Sequence, residues 1–248
     1  MRIVRVSASD QPTYGILGDA SKRVIALTGD PLFHKVEQSG QFFELEDVRL
    51  LSPVIPRSKA LVLDPVGVAG DVAAQHVTLI PNTAIAGPDD PIVFPAWAHE
   101  VTVEPALAIV VKTLVKDVSP AAARTLILGT CLAARFRASG VDDGLASTWD
   151  RCCPIGPWVE VEEGQDPQRD GVTVEVGEQV RDYAAGCWDI ADAVAQASAM
   201  ATLLPGDIIL VPWPGQMDVT AGQHVTVSHG LLGDLHCIAM PQQSAATS

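Results

Sequence analysis

Basic residues are scarce in this 248-residue sequence, and their scarcity excludes one class of partner. Lys and Arg together number 16 against 30 Asp and Glu, so the formal net charge is −14 at pH 7. The few cations form no run that could follow a phosphate backbone. We therefore expect no nucleic-acid partner.

Long apolar runs and a disulfide framework are also missing. No stretch approaches the roughly 18 apolar residues of a membrane span, and the opening MRIVRVSASDQPTYG lacks the apolar region of a signal peptide. The cysteines are odd in number and show no CxxC spacing, unlike the paired sets of small secreted domains. They are Cys131, Cys152, Cys153, Cys187 and Cys237. We expect a soluble cytoplasmic protein with no membrane contact.

The common catalytic signatures are absent as well. The sequence contains no GxGxxG, GxxxxGK[ST], HExxH or GxSxG motif and no EF-hand loop. These absences argue against nucleotide-binding and zinc-protease chemistry.

The composition and the short alternating runs predict a globular chain of mainly β structure, in the α+β class. Apolar residues make up 48% of the chain, with 20 Gly and 18 Pro for turns. Short alternating runs predict strands at 2–6, 13–17 and 24–27, followed by a short helix over 31–39. Prolines then favour a boundary near Pro56. The predicted organisation is a small N-terminal domain over 1–56, a core over 57–240 and a disordered tail over 241–248.

Two helices and a hairpin are predicted inside the core. A Ser-Pro start favours a helix over 119–123, and a stripe of small apolar residues favours another over 189–203. Alternation over 222–240 predicts a β-hairpin.

Two pairs of residues are candidate metal ligands. Glu100 and Glu104 are an even number of positions apart, so in a strand both carboxylates face the same side. They fit either a divalent cation or a solvated strand face, since no third carboxylate lies nearby. His224 and His229 are five positions apart, so in a regular strand their side chains point to opposite faces and cannot share one metal without a bulge.

Three further residues are candidate ligand contacts. Arg135 and Arg137 lie in the small apolar stretch GTCLAARFRASG, which fits either an anion site or ion pairs with surface acids. Trp213 lies between two prolines in a presumed loop, where an aromatic ring either packs in the core or contacts a ligand.

Six segments resemble the fumarylacetoacetate hydrolase superfamily, in order and over nearly the whole chain. They are VRLLSPVIPRSKAL, LIPNTAIAGPDDPIVFP, VEPALAIVV, CCPIGPWVE, MATLLPGDIILVPWPGQ and GQHVTVSHGLLGDL. The bacterial members that they are most similar to are hydroxy-heptadienedioate isomerases and decarboxylases. The resemblance implies a mixed β-roll behind a small N-terminal β domain, and usually a homodimer.

The family's metal site, a Glu-x-Glu pair plus an Asp holding Mg²⁺ or Mn²⁺, is altered here. Glu104 matches the first Glu, Ala106 replaces the second, and an ungapped match puts Arg135 where the Asp belongs. A guanidinium cannot ligate Mg²⁺, but it can hold a carboxylate or enolate. The resemblance therefore predicts a site without metal or other cofactor.

The family's other catalytic positions are also replaced. Ser147 stands for an active-site Lys, ahead of Trp149 and Asp150, and Ile80 stands for a second Lys. The segment DPVGVAG lacks the family's His. The predicted catalytic residues are Glu104, Arg135 and Asp150. The predicted substrate contacts are Asn82, Thr83, Arg137, Ser147, Trp149, Trp213 and Gln216.

Three functions follow from this pattern. The first is a metal-free enzyme that decarboxylates, isomerises or cyclises a small keto or enol acid, with arginine holding the anion and Glu104 or Asp150 as acid or base. The second is an inert homologue that forms a homodimer or a heteromer with an active relative. The third is an ordinary Mg²⁺-dependent hydrolase whose site is rebuilt from Glu100, Glu104 and Asp64.

Overall fold

The structure is a computed structural model that describes residues 1–8, 11–18, 22–64, 77–161 and 166–242. Strands dominate it, which confirms the predicted fold class. The strands are β1 Arg2–Ser7, β2 Pro12–Leu17, β3 Arg23–Leu27, β4 Gln38–Glu44, β5 Arg49–Leu51, β6 Ala60–Leu63, β7 Val77–Ile80, β8 Ile85–Ala86, β9 Pro91–Phe94, β10 Val101–Val111, β11 Ile127–Ala138, β12 Cys153–Glu160, β13 Val172–Val176, β14 Gln179–Tyr183, β15 Ile208–Pro212, β16 Met217–Val219, β17 His224–His229 and β18 Gly233–Pro241. The helices are α1 Pro120–Ala123 and α2 Ile190–Met200.

The N-terminal strands form an antiparallel meander that continues the large sheet. β1 to β4 pair in sequence, and β1 pairs on its other side with β12, with Arg2 opposite Glu160. The predicted helix over 31–39 is wrong. Asp30 Oδ1 accepts a hydrogen bond from the Leu32 amide at 2.9 Å, which makes a tight turn, and β4 already begins at Gln38.

The core consists of two sheets around one apolar cluster. The larger sheet runs β4-β3-β2-β1-β12-β11-β10-β15-β6-β7, and the smaller runs β14-β13-β17-β18-β9. All residues of β10 are buried, as its long apolar run requires. Side chains of both sheets belong to the same hydrophobic cluster, and β10 and β11 contribute many of its buried residues.

The helices and the C-terminal hairpin largely match the predictions. Asp189 caps α2 by accepting from the Ala191 amide at 2.8 Å, but the helix ends at Met200 because Leu203 pairs with Val115 instead. β17 and β18 form the predicted hairpin, which leaves His224 exposed and His229 buried.

The predicted boundary near Pro56 stays a prediction, and the predicted tail starts too early. Pro241 still belongs to β18, and Gln242 accepts a hydrogen bond from the Ala96 amide at 2.8 Å. Residues 243–248 lie outside the described residues. In the part of the chain that the structure describes, no helix has the length and apolarity needed to span a membrane.

Candidate functional site

The register of two central strands brings the predicted acid and arginines together. β10 and β11 are antiparallel, with Glu104 opposite Arg135 and Thr102 opposite Arg137. Because side chains alternate along a strand, positions 102, 104 and 106 share one face with 133, 135 and 137. The sheet therefore places Glu104, Ala106 and Arg135 side by side, as the resemblance implied.

Two guanidinium groups bind the carboxylate of Glu104 on this face. Arg135 donates from Nε to Glu104 Oε2 at 2.9 Å, and its Nη2 also contacts that oxygen. Arg137 Nη1 donates to Glu104 Oε1 at 2.7 Å. Each oxygen of Glu104 is thus held by a different arginine, which fixes the carboxylate plane.

Two more acids complete the network. Arg135 Nη2 donates to Asp64 Oδ1 at 3.0 Å, and Arg137 Nη2 donates to Asp143 Oδ1 at 3.0 Å. The first link joins the end of β6 to β11, and the second joins β11 to the turn that follows it. No local sequence pattern shows that this turn folds back on Arg137, so the contact of Asp143 could not be predicted from the sequence.

Burial explains why these charges are paired. The Arg135 side chain is only 2% exposed and that of Arg137 is 27% exposed. An unpaired buried charge costs several kcal/mol, so a buried arginine requires nearby carboxylates. Partial burial lowers the pKa of Arg137, but the hydrogen bond and charge of Glu104, with Asp64 and Asp143, raise that pKa above its usual value. Arg137 therefore stays charged at the open side of the network.

The residues present do not fit a Mg²⁺ or Mn²⁺ ion. Such ions require several oxygen ligands, whereas Arg135 offers only donors and Ala106 offers no ligand. Asp64 and Glu104 do meet, as the rebuilt-site hypothesis required, but they meet on the guanidinium of Arg135. Among the described residues no group of three or more His, Cys, Asp or Glu is arranged to hold a metal.

Glu100 does not join the site. It precedes β10 in a bend and is exposed, while Glu104 is buried. The even spacing that predicted a shared face fails because the strand begins only at Val101.

The segment after β11 lies beside the network and carries two unpartnered donors. The Phe136 amide donates to the Cys152 carbonyl and the Ala138 amide to the Ala146 carbonyl, both at 2.8 Å. Within the described residues, the buried Ser147 Oγ and Trp149 Nε1 have no hydrogen-bond partner.

Trp149 has an aromatic neighbour, and an exposed acid and two buried thiols follow it in the sequence. The Trp149 ring packs edge-on against the half-exposed Trp97 at 5.8 Å. Asp150 is exposed on the adjoining turn. The neighbouring thiols are poor nucleophiles, because burial raises the pKa of Cys152 well above its usual value and that of Cys153 to about 12.

Trp213 is a core residue and not a loop residue facing this site. It is 1% exposed, and its Nε1 donates to the Asp170 carbonyl at 3.0 Å. Pro212 lies opposite Ala106, so the next residue points to the other face of the sheet, where its ring lies 5.8 Å from that of His229. The predicted contact of Trp213 with substrate beside Glu104 is therefore wrong.

The other predicted contacts lie at the surface. Gln216 is exposed, and its carbonyl accepts from the Tyr183 hydroxyl at 2.9 Å. Asn82 and Thr83 are exposed in a 3-10 turn, where the Thr83 carbonyl accepts from the Arg151 amide at 2.9 Å. The segment that replaces the family's His falls mostly at 65–70, outside the described residues.

Two family models match most of the chain. Residues 65–237 match the family described as "Fumarylacetoacetate (FAA) hydrolase C-terminal". Residues 1–53 match the one described as "Rv2993c-like, N-terminal".

Relatives and solved structures agree with these matches. A Mycobacterium tuberculosis protein, Rv2993c, is 32% identical over 95% of this chain and 96% of its own length. A 2-hydroxyhepta-2,4-diene-1,7-dioate isomerase from Mycobacterium marinum superposes with a TM-score of 0.86 at 30% identity, over 98% of this chain and 100% of that one. A mitochondrial oxaloacetate tautomerase from Bos taurus is 28% identical over 55% of this chain and 67% of its own.

Proposed function

Because the chain belongs to the fumarylacetoacetate hydrolase family and is of its isomerase, hydrolase and tautomerase type, we propose a metal-free reaction for it. The reaction is proton transfer between the keto and enol forms of a small organic acid. No metal or other cofactor takes part in it.

The observation that carries this proposal is the pair of arginines at Glu104: Arg135 lies between Glu104 and Asp64, and Arg137 holds the other oxygen of Glu104. A metal ion in a keto-acid site stabilises the oxygen that becomes negative. Fixed guanidinium donors supply the same stabilisation without an ion, because they are already oriented when the charge develops. Proton transfer suits such a site, since it needs no strong water nucleophile.

The exposure of each residue indicates its role in the proposed proton transfer. Arg137 is the more exposed arginine of the pair, and it holds the carboxylate or enolate oxygen of the substrate. Arg135 is buried and holds Glu104 in place. Ser147 Oγ and Trp149 Nε1 lack partners among the described residues and are available as donors to a substrate oxygen.

Glu104 is the acid and base of the proposed step. Its carboxylate takes a proton from the carbon beside the substrate carbonyl, and the electron pair moves onto oxygen. The enolate oxygen then takes that proton from Glu104, so the step balances without an oxidant or a second substrate. Asp150 is exposed on the neighbouring turn and is the second candidate for this role.

The test follows the absorbance of enol oxaloacetate with protein purified and assayed in EDTA. We expect activity that EDTA does not reduce and added Mn²⁺ does not raise. Glu104→Gln should lower kcat about 10²- to 10⁴-fold, and Arg137→Met about 10²- to 10³-fold. Arg181→Met removes an exposed arginine of β14 and serves as the matched control. Activity that disappears in EDTA and returns with Mn²⁺ would refute the metal-free reaction.

A second candidate, an inert partner subunit, is favoured by one observation. Both oxygens of Glu104 already accept hydrogen bonds from guanidinium groups, so neither is open to a substrate proton unless an arginine moves. If the wild type shows no proton transfer, the protein is mixed with an active family member. A shared elution volume and a changed kcat of that enzyme would support the partner role, and unchanged values would exclude it.

A further inference from the structure

A polar cavity, separate from the Glu104 network, lies between the N-terminal strands and the core. Its volume is about 360 Å³, which is at the small end of ligand cavities. Leu32, Val54 and Pro56 form apolar wall, and the connector from β5 to β6 closes one side. The polar lining consists of Arg5, Tyr14, Asp30, Arg57 and Asn82. We call it the junction cavity.

Two arginines of this cavity have no acidic partner among the described residues. Arg5 of β1 stands directly across from Tyr14 of β2. The Arg57 guanidinium stacks over the Phe33 ring, 4.0 Å from its centroid, but makes no ion pair within the described part. In a chain with 30 acidic residues, other arginines such as Arg23 and Arg49 do find a carboxylate.

The remaining polar groups set the charge and the direction of hydrogen bonding. Burial, with the neighbouring carboxylate of Asp30, raises the pKa of Tyr14 to about 12, so its hydroxyl stays a donor at neutral pH. Asp30 Oδ1 accepts from the Leu32 amide, and its carboxylate also forms part of the cavity wall. Two arginines and one aspartate give the lining a formal charge of +1.

The polar groups of the junction cavity fit one kind of ligand. The two guanidiniums match a carboxylate, which arginine binds through paired donors. One carboxylate on the ligand neutralises the +1 charge of the lining, whereas two carboxylates leave an excess negative charge. Asp30 offers an acceptor, so it matches a hydroxyl or enol hydrogen on the same molecule.

We propose that the junction cavity binds a small monocarboxylic acid with a hydroxyl or enol group. The carboxylate lies between Arg5 and Arg57, and the hydroxyl donates to Asp30. Such a ligand bridges β1 and β2 to the core. The site shares no residue with the Glu104 network and stands independently of the proposed reaction.

The test is titration calorimetry of the full chain with 2-hydroxybutyrate, butyrate, succinate and inorganic phosphate. We expect 2-hydroxybutyrate to bind most tightly. Arg57→Met and Arg5→Met should each raise its Kd about tenfold or more. Asp30→Asn retains the turn acceptor but loses the second carboxylate oxygen, so it should weaken 2-hydroxybutyrate relative to butyrate.

Two comparisons keep this result separate from the proposed reaction. Arg181→Met, which changes an exposed arginine of β14 outside both sites, should bind 2-hydroxybutyrate as the wild type does, and circular dichroism should show that every variant is folded. Loss of binding in Arg137→Met with retention in Arg57→Met would place the acid at the Glu104 network and overturn the proposal. Equal or tighter binding of phosphate, or no binding of 2-hydroxybutyrate, would also overturn it.

Discussion

Replacing Arg135 with Met tests whether the buried ion pair organises the centre of the sheet. Arg135 is 1% exposed and is held by Glu104 and Asp64. Met fills a similar length but has no charge, so it leaves Glu104 buried with only Arg137 as partner. Breaking one side of a buried pair costs about 3–5 kcal/mol. We expect the free energy of unfolding to fall by that amount.

A double-mutant cycle separates the pair from the loss of packing. Urea unfolding of the wild type, Arg135→Met, Glu104→Leu and the double variant is followed by tryptophan fluorescence and circular dichroism. Removing both charges means that neither Arg135 nor Glu104 is left buried without the other, so the double variant should be more stable than the sum of the two single losses predicts. The expected coupling is about 1–3 kcal/mol.

A small effect would refute this reasoning. If Arg135→Met lowers the free energy of unfolding by less than about 1 kcal/mol, Arg135 behaves as a surface residue. A coupling energy near zero with Glu104 would show that the two side chains are not energetically paired.

Three further changes give distinct expectations. Burial lowers the pKa of His229 below its usual 6.5, although the Pro167 carbonyl opposes this shift. As the pH falls, the unfolded chain therefore binds the proton before the folded chain does. The free energy of unfolding should then decrease as the pH drops below about 6.5. Urea midpoints measured on both sides of that pH should show the fall in the wild type and lose it in His229→Gln; an equal fall in both would contradict it. Cys187 is the exposed cysteine and the other four are buried, so a thiol reagent should modify one thiol per native chain and five after denaturation. Modification of more than one in the native state would show that the core opens. The double change Ala106→Glu and Arg135→Asp puts three carboxylates on one face, and Mn²⁺ should then raise the melting temperature of that variant but not of the wild type; an equal rise in both would mean that the ion binds elsewhere.

Local sequence patterns predicted the elements whose signals are local. Period-two alternation located the C-terminal hairpin, and a stripe of small apolar residues located α2. The end of α2 could not be predicted in the same way. It depends on Leu203 pairing with Val115, which is distant in sequence. The turn at Asp30 was missed because the segment after it has apolar residues at helical spacing.

The candidate site was predicted in part because the resemblance placed both Glu104 and Arg135 at positions of the family's metal site. The register of β10 and β11 confirms that these two residues are opposite each other. The role of Asp64 was less accessible, since it is 71 residues from its partner Arg135. Trp213 was misplaced because the face that it occupies depends on how β15 pairs with β10, and one residue reverses that face.

The pairing of β1 with β12 has a consequence for synthesis of the chain. Arg2 and Ile3 find their strand partners at Glu160 and Val159, so the start of the first strand stays an open edge until about two thirds of the chain has been made, whereas its end pairs with β5. An exposed strand edge recruits other strands. During translation, this short edge is therefore open to pairing with other nascent chains until β12 has been made.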